Sequence, residues 1–234
     1  MEKRSAAAQA SRFAGEFVVI VIGVFVALAA DRWQQTASER ESERSYLERL
    51  RTEIAADTAR MKQLVARSEQ KRVALAYIEA AIARRPPADS LRDLAANMRE
   101  ASYYMEQDFR TTAFDELQST GRLMLLSDAE VRAAVVAYHE FIERYLPRID
   151  RRRGEYPELL ARYIPPSARV SVTSQEHDPA KEPTWAFALL ADPRLPHELN
   201  VEYRFAEYAG ERFQLFYERG AQTLALLDGA LARR

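Results

Sequence analysis

The chain has no cysteine among its 234 residues. That excludes disulfides, zinc–thiolate centres, iron–sulfur ligation and thiol nucleophiles together, and leaves the compartment open. Glycine is scarce at seven residues, against an average share of about 7%. None of the seven stands in a phosphate-cradling loop, a nucleophile elbow or a dinucleotide fingerprint, and Gly220 and Gly229 fall inside a helical pattern. Net charge is also missing: 34 Lys and Arg against 35 Asp and Glu leave −1. The whole molecule therefore exerts no strong field on nucleic acid, and none is expected as a partner. No internal repeat or low-complexity tract breaks the chain.

What is present is the composition of long helices, with Ala, Leu, Glu and Arg dominant. The expected fold class is all-α, with one sizeable domain behind an apolar opening segment. That segment, EFVVIVIGVFVALAADRW from Glu16 to Trp33, holds fourteen uncharged residues between Glu16 and Asp31. Extended back to Phe13 it would rise roughly 27 Å as a helix, just under the ~30 Å of a bilayer core. Arg12 and Arg32 can snorkel at its ends, and Trp33 supplies an interfacial ring. A signal peptide is the competing reading, since Lys3, Arg4 and Arg12 precede the run and Ala27-Leu28-Ala29 fits a small-x-small cleavage pattern. A buried core helix is the third, although so continuous a run of Val and Ile would need cover on every side. Within the run, Gly23 and Ala27 form a small-xxx-small pair through which a second helix could approach, and Glu16 could hydrogen-bond across that contact.

The residues GVFVALAADRW from Gly23 to Trp33, followed by YLERL from Tyr46 to Leu50, resemble a group of uncharacterised bacterial single-pass membrane proteins. That group pairs a G-x-x-x-A-L-x-x-D/N-x-W anchor with a helical Y-L-x-x-L stretch. The resemblance continues more weakly from Phe114 to Leu123 and at Leu199-Asn200. It implies an anchor that is retained, with Asp31 and Trp33 at its end, and it implies no catalytic residue. The organisation expected is a short basic tail over 1–12, a transmembrane anchor over 13–33 and a soluble helical domain over 34–234. The expected location is a bacterial inner membrane, crossed once, with the C-terminal domain in the periplasm.

From Trp33 to Arg85 there is neither Pro nor Gly, so the membrane helix is expected to continue into a long one. Leu47, Leu50, Ile54, Met61, Leu64, Leu75, Ile78 and Ile82 keep heptad spacing, with Asp57, Ser68 and Lys71 in the same seam. The seam fits a helix packed by its two ends into an antiparallel bundle, or a parallel coiled coil weakened by its polar residues. Pro86-Pro87 ends that helix, Asp89-Ser90 restarts one towards Met105, and a short helix over 112–120 precedes Gly121 in the left-handed position. A capping box, Ser127 to Glu130, opens a helix towards Tyr163 with a kink or break at Pro147. The segment near 165–196 reads as irregular, with one candidate strand over 170–172 and a short helix over 185–190. The final helix carries Phe205, Ala209, Phe213, Phe216, Gly220, Leu224, Leu227 and Leu231 at gaps of three and four.

Chemistry is thinly signalled. His139-Glu140 with Glu143 is similar to a zinc-protease helix, but the second His is replaced by Glu143, so a half-exposed surface His and no metal or cofactor are expected. Arg144, Arg148 and Arg151 to Arg153 form the densest basic patch, diluted by Glu143, Asp150 and Glu155, and read as a solvated helix end. Tyrosines and phenylalanines are plentiful; most belong to a core, but Tyr103, Tyr104, Tyr138, Phe141, Tyr208 and Phe213 could line an aromatic pocket for a small ligand. The sequence thus points to a membrane-anchored, non-catalytic bundle working through a protein partner or its own oligomer, with Glu16, Gly23, Ala27, Asp31 and Trp33 as the contact residues. A tethered small-ligand sensor is the alternative.

Overall fold

The computed structural model describes residues 2–165 and 184–233, with side chains from Phe25 onward except that of Ala88. Among these residues every regular element is helical. The first helix, α1, runs Glu2–Ala83 over 82 residues. It ends where Pro86 and Pro87 would clash with the preceding turn. Then follow α2 (Leu91–Ala101), α3 (Thr112–Ser119), α4 (Ala129–Asp150), α5 (Tyr156–Tyr163), α6 (Trp185–Leu190) and α7 (Leu195–Ala232). Gly121 takes φ 67° after α3, the left-handed turn that lets the chain double back. The candidate strand over 170–172 lies outside the described residues. The short helix expected over 185–190 forms as α6, and α7 begins at Leu195, just inside the stretch expected to be irregular.

The bundle is organised on α1 and α7, which lie antiparallel: Lys71 meets Glu202, and Arg51 meets Asp228. Close approach between them is set by small residues. A β-carbon at Gly210 would strike Ser68, and one at Gly220 would strike Thr58. Two apolar cores are strung along this pair. The basal one gathers Leu47, Leu50, Ile54 and Met61 of α1 with Phe114, Tyr138, Phe213 and Phe216. The distal one gathers Leu75 and Ile78 with Leu94, Met98, Tyr156 and Trp185. The α1 seam is thus covered within the chain, most of it by α7, which rules out that seam as the face of a parallel coiled coil. Its polar members are buried too, Asp57 at 2%, Ser68 at 4% and Lys71 at 2% exposure, so the helix packs through its middle as well as at its ends.

Carboxylates on α1 hold the connections. Glu43 accepts from the Ser127 N–H at 2.7 Å and its hydroxyl at 2.8 Å. Glu53 accepts from the Ala113 N–H at 3.0 and 3.1 Å, satisfying a free donor in the first turn of α3. The cap of α4 is Asp128, whose side chain accepts from the N–H groups of Glu130 and Val131, and not Ser127, whose hydroxyl is taken by Glu43. Pro147 is tolerated inside α4, which stops at Asp150 within a turn; a new helix, α5, starts at Tyr156.

Candidate functional site

From 25 to 41 every residue of α1 is exposed, and burial begins at Glu43. The segment projects from the basal end of the bundle as a stalk. Phe25, Val26, Leu28 and Trp33 are 52–77% exposed on it. At 100° per residue, Leu28, Phe25, Trp33 and Val26 fan over about 160° of the helix circumference, one broad apolar side. Ala27, Asp31 and Trp33 lie on this stalk, all exposed. The side chains of Glu16 and Gly23 lie outside the described residues. Among the described residues no helix is long and apolar enough to cross a membrane. The apolar run 17–30 falls mainly in the part of α1 whose side chains are not described.

Where the stalk enters the bundle, an open groove of about 1380 Å³ lies between α1, the turn after α3 and the end of α7. Arg40, Arg44, Arg122 and Arg233 line it together with Glu39 and Glu43, and Met124, 73% exposed, stands at its edge. Two of its four arginines are matched within the chain: Arg44 pairs with Glu48 at 3.0 Å and Arg233 with Asp128 at 2.6 Å.

The six aromatic residues of the expected pocket do not converge. Tyr138 and Phe213 are buried in the basal core, and Phe141, also buried, packs edge-on to Phe216. Tyr103 and Tyr104 are exposed on the turn after α2, beneath Arg67 and Arg153 respectively. Tyr208 is half-buried under Arg152 and Arg212. None of the six borders the basal groove.

His139 is not a surface residue: it is 2% exposed, stacked on Phe114 at 3.9 Å, with Nδ1 2.8 Å from the Val135 carbonyl. That carbonyl is an acceptor, so Nδ1 carries the hydrogen; burial pushes the imidazole pKa down and keeps the ring neutral. Among the described residues no three His, Asp or Glu side chains gather to hold a metal ion.

Two polar contacts cross the interior. Lys71 pairs with Glu202, donates to the Tyr103 carbonyl at 3.1 Å and lies over the Phe205 ring. Burial pulls its pKa down while Glu202 holds it up. Asp57 accepts from the Arg110 N–H at 3.1 Å and from the Tyr138 hydroxyl at 3.4 Å, and burial raises its carboxyl to about 6. These groups tie α1 to α7, to α4 and to the chain between α2 and α3. No sequence signal marked Glu202, which sits among surface-type residues at the start of α7. Lys71 and Asp57 were visible as polar interruptions of an apolar seam.

No known protein family, no curated protein and no solved structure matches this chain.

Proposed function

We propose that the protein is a membrane-anchored helical bundle that acts by assembly with a protein partner or a second copy of itself, without catalysis. One observation carries this reading. A single unbroken helix, packed over 43–83, emerges as a stalk with a broad, exposed apolar side. Exposed apolar area of that kind costs about 25 cal/mol per Å² in water, and Phe25, Val26 and Leu28 belong to the uncharged run 17–30, of the kind a bilayer takes up. The anchor is 13–33, the bundle stands off the membrane on the segment that follows, and Trp33 marks the interface. The resemblance of the Gly23-to-Trp33 and Tyr46-to-Leu50 motifs to bacterial single-pass proteins supports a retained anchor, and the basic Lys3, Arg4 and Arg12 ahead of it favour an inner membrane with the bundle on the periplasmic side. Gly23 and Ala27 give the anchor a small-residue face for a second helix.

Alkaline carbonate extraction of membranes carrying the full chain tests the anchor. The protein stays in the pellet, and Phe25→Arg, placing a charge that costs about 2.5–3.5 kcal/mol near the middle of a span, moves a large fraction into the wash. Release of the unaltered chain by carbonate alone would overturn the anchor. Within the membrane, Gly23→Leu weakens crosslinking between copies or to a partner; crosslinking unchanged by that substitution counts against the helix contact.

A further inference from the structure

Arg148 and Arg152 of the basic patch and two of the six aromatics, Phe141 and Tyr208, meet on one surface. Arg148 lies over the Tyr145 ring at 5.2 Å, and Arg212, reaching across from α7, lies 5.2 Å from the same ring and 4.9 Å from that of Tyr208. Arg152 stacks on Tyr208 at 3.9 Å, and Arg219 covers Phe141 at 4.2 Å. Arg148, Arg152 and Arg219 are exposed and Arg212 is half-buried. Among the described residues none of these four has a carboxylate within 4.0 Å, whereas Arg49, Arg51, Arg67, Arg72, Arg194 and Arg233 are all ion-paired. Glu143, Glu207, Glu211 and Glu218 share the two helices yet reach none of the four, and Glu218 is engaged by Gln214 at 2.7 Å.

A guanidinium stacked on a ring keeps its planar fork of donors free at the edge, already oriented and partly desolvated. We infer that this Arg–Tyr stripe along α4 and α7 is a docking surface for an acidic helical segment of a partner protein, whose carboxylates take the free guanidinium edges. Three features select that occupant. Arg148 and Arg152 cover Tyr145 and Tyr208, two rings that both also lie under Arg212, so the guanidinium groups are clustered, and a partner helix offers carboxylates in i and i+4 pairs about 5–6 Å apart. The ring faces that would stack nucleobases are already occupied by guanidinium groups, which disfavours single-stranded nucleic acid. Lipid headgroups are out of reach. Gly220, beside Arg219, is level with Thr58 of α1, about 37 Å along the helix from Trp33, several Debye lengths from the interface. The inference deepens the assembly reading above by naming the partner's chemistry, and its last feature rests on the proposed anchor.

The test uses the full chain in mild detergent and the fluorescence anisotropy of a labelled alanine-based helical peptide carrying Glu at every fourth position. Its Gln counterpart and an oligothymidine serve as rival probes. The Glu peptide binds, the Gln peptide does not, and binding weakens as salt rises. The pairs Arg148→Gln/Arg152→Gln and Arg212→Gln/Arg219→Gln each weaken it roughly tenfold or more, while Lys62→Gln/Arg162→Gln, both exposed and off the stripe, leave it unchanged. Arg148→Lys/Arg152→Lys, which keeps charge and fold but loses the fork, still weakens it severalfold. Absence of Glu-peptide binding, equal binding by the stripe and control variants, or tighter binding of oligothymidine overturns the proposal. Carbonate extraction of the same variants is unaffected by the stripe, so failure here is separable from failure of the anchor.

Discussion

One helix, two surroundings: α1 over 43–83 and α1 over 25–41 share a backbone and differ in everything that touches it. Inside the bundle, Leu47, Leu50, Ile54 and Ile78 are buried to 1% exposure or less, and even charged seam residues find partners. On the stalk every residue is exposed, and the recorded side-chain hydrogen bonds are local, such as Thr36 to the Arg32 carbonyl at 2.8 Å. Helical hydrogen bonding is satisfied by the chain itself and needs no neighbour, whereas tertiary stability comes from packing one face. The two regions should therefore respond oppositely to substitution. Changes at 43–83 move folding stability, and changes at 25–41 move placement.

The largest effect is expected at Lys71. Lys71→Ala leaves Glu202, 1% exposed, as an uncompensated buried charge, and should destabilise the bundle by about 3–5 kcal/mol in urea unfolding followed by circular dichroism. Lys71→Met with Glu202→Leu removes both charges and should recover most of that loss. If the single variant unfolds like the parent chain, the pair is not the clamp between α1 and α7 described above.

Next comes the close approach of the same two helices. Gly220→Ala should cost about 1–3 kcal/mol, because the new methyl meets Thr58, and Thr58→Ala in the same chain should relieve it. A null effect of Gly220→Ala would mean that the helices can separate without loss.

Asp57 adds a pH-dependent term of comparable size. Its carboxyl sits at about 6 in the folded bundle, against about 3.9 when unfolded. Between those values the folded state holds a proton that the unfolded state has released, so stability falls as pH rises from 4 through 6 and then levels off. Asp57→Asn keeps one oxygen for the Arg110 N–H, turns an amide NH2 donor towards the Tyr138 hydroxyl oxygen, and escapes that loss. The variant should match the parent near pH 4 and exceed it by about 1–3 kcal/mol at pH 7.5. Unfolding curves that stay parallel across this range would show that burial does not hold the proton on Asp57.

Periodicity made much of the fold legible. The α1 seam, the proline stop, Gly121 and the gaps of three and four in α7 all read directly as the elements that form. What it obscured was anything that depends on two helices meeting. Asp57 and Lys71 looked like weak points in a seam because the residues that satisfy them, Arg110, Tyr138 and Glu202, lie 53, 81 and 131 positions away. His139 looked like a surface residue because its neighbours on α4 alternate with charge, yet the ring that buries it, Phe114, comes from α3. The arginine stripe shows the same limit. Tyr145 with Arg148 and Tyr208 with Arg212 each carry the local spacing of a stacked pair, but only the antiparallel crossing of α4 and α7 merges them. The aromatic residues were readable as a class; which were core and which surface depended on facing elements.

The smallest effect sharpens the comparison most. Trp33, 77% exposed, is the largest side chain on the stalk. Trp33→Ala should leave unfolding of the bundle within about 0.5 kcal/mol of the parent, as for surface positions free of tertiary contacts. In a soluble core the loss of a Trp costs about 3–5 kcal/mol, so a result in that range would show that the stalk folds back onto the bundle in solution and that the two halves of α1 are not independent. If unfolding is unchanged while the protein partitions less firmly into membranes, the ring is spending its apolar surface on the bilayer interface. The pair of measurements separates a side chain that is exposed because nothing covers it from one that is exposed because lipid does.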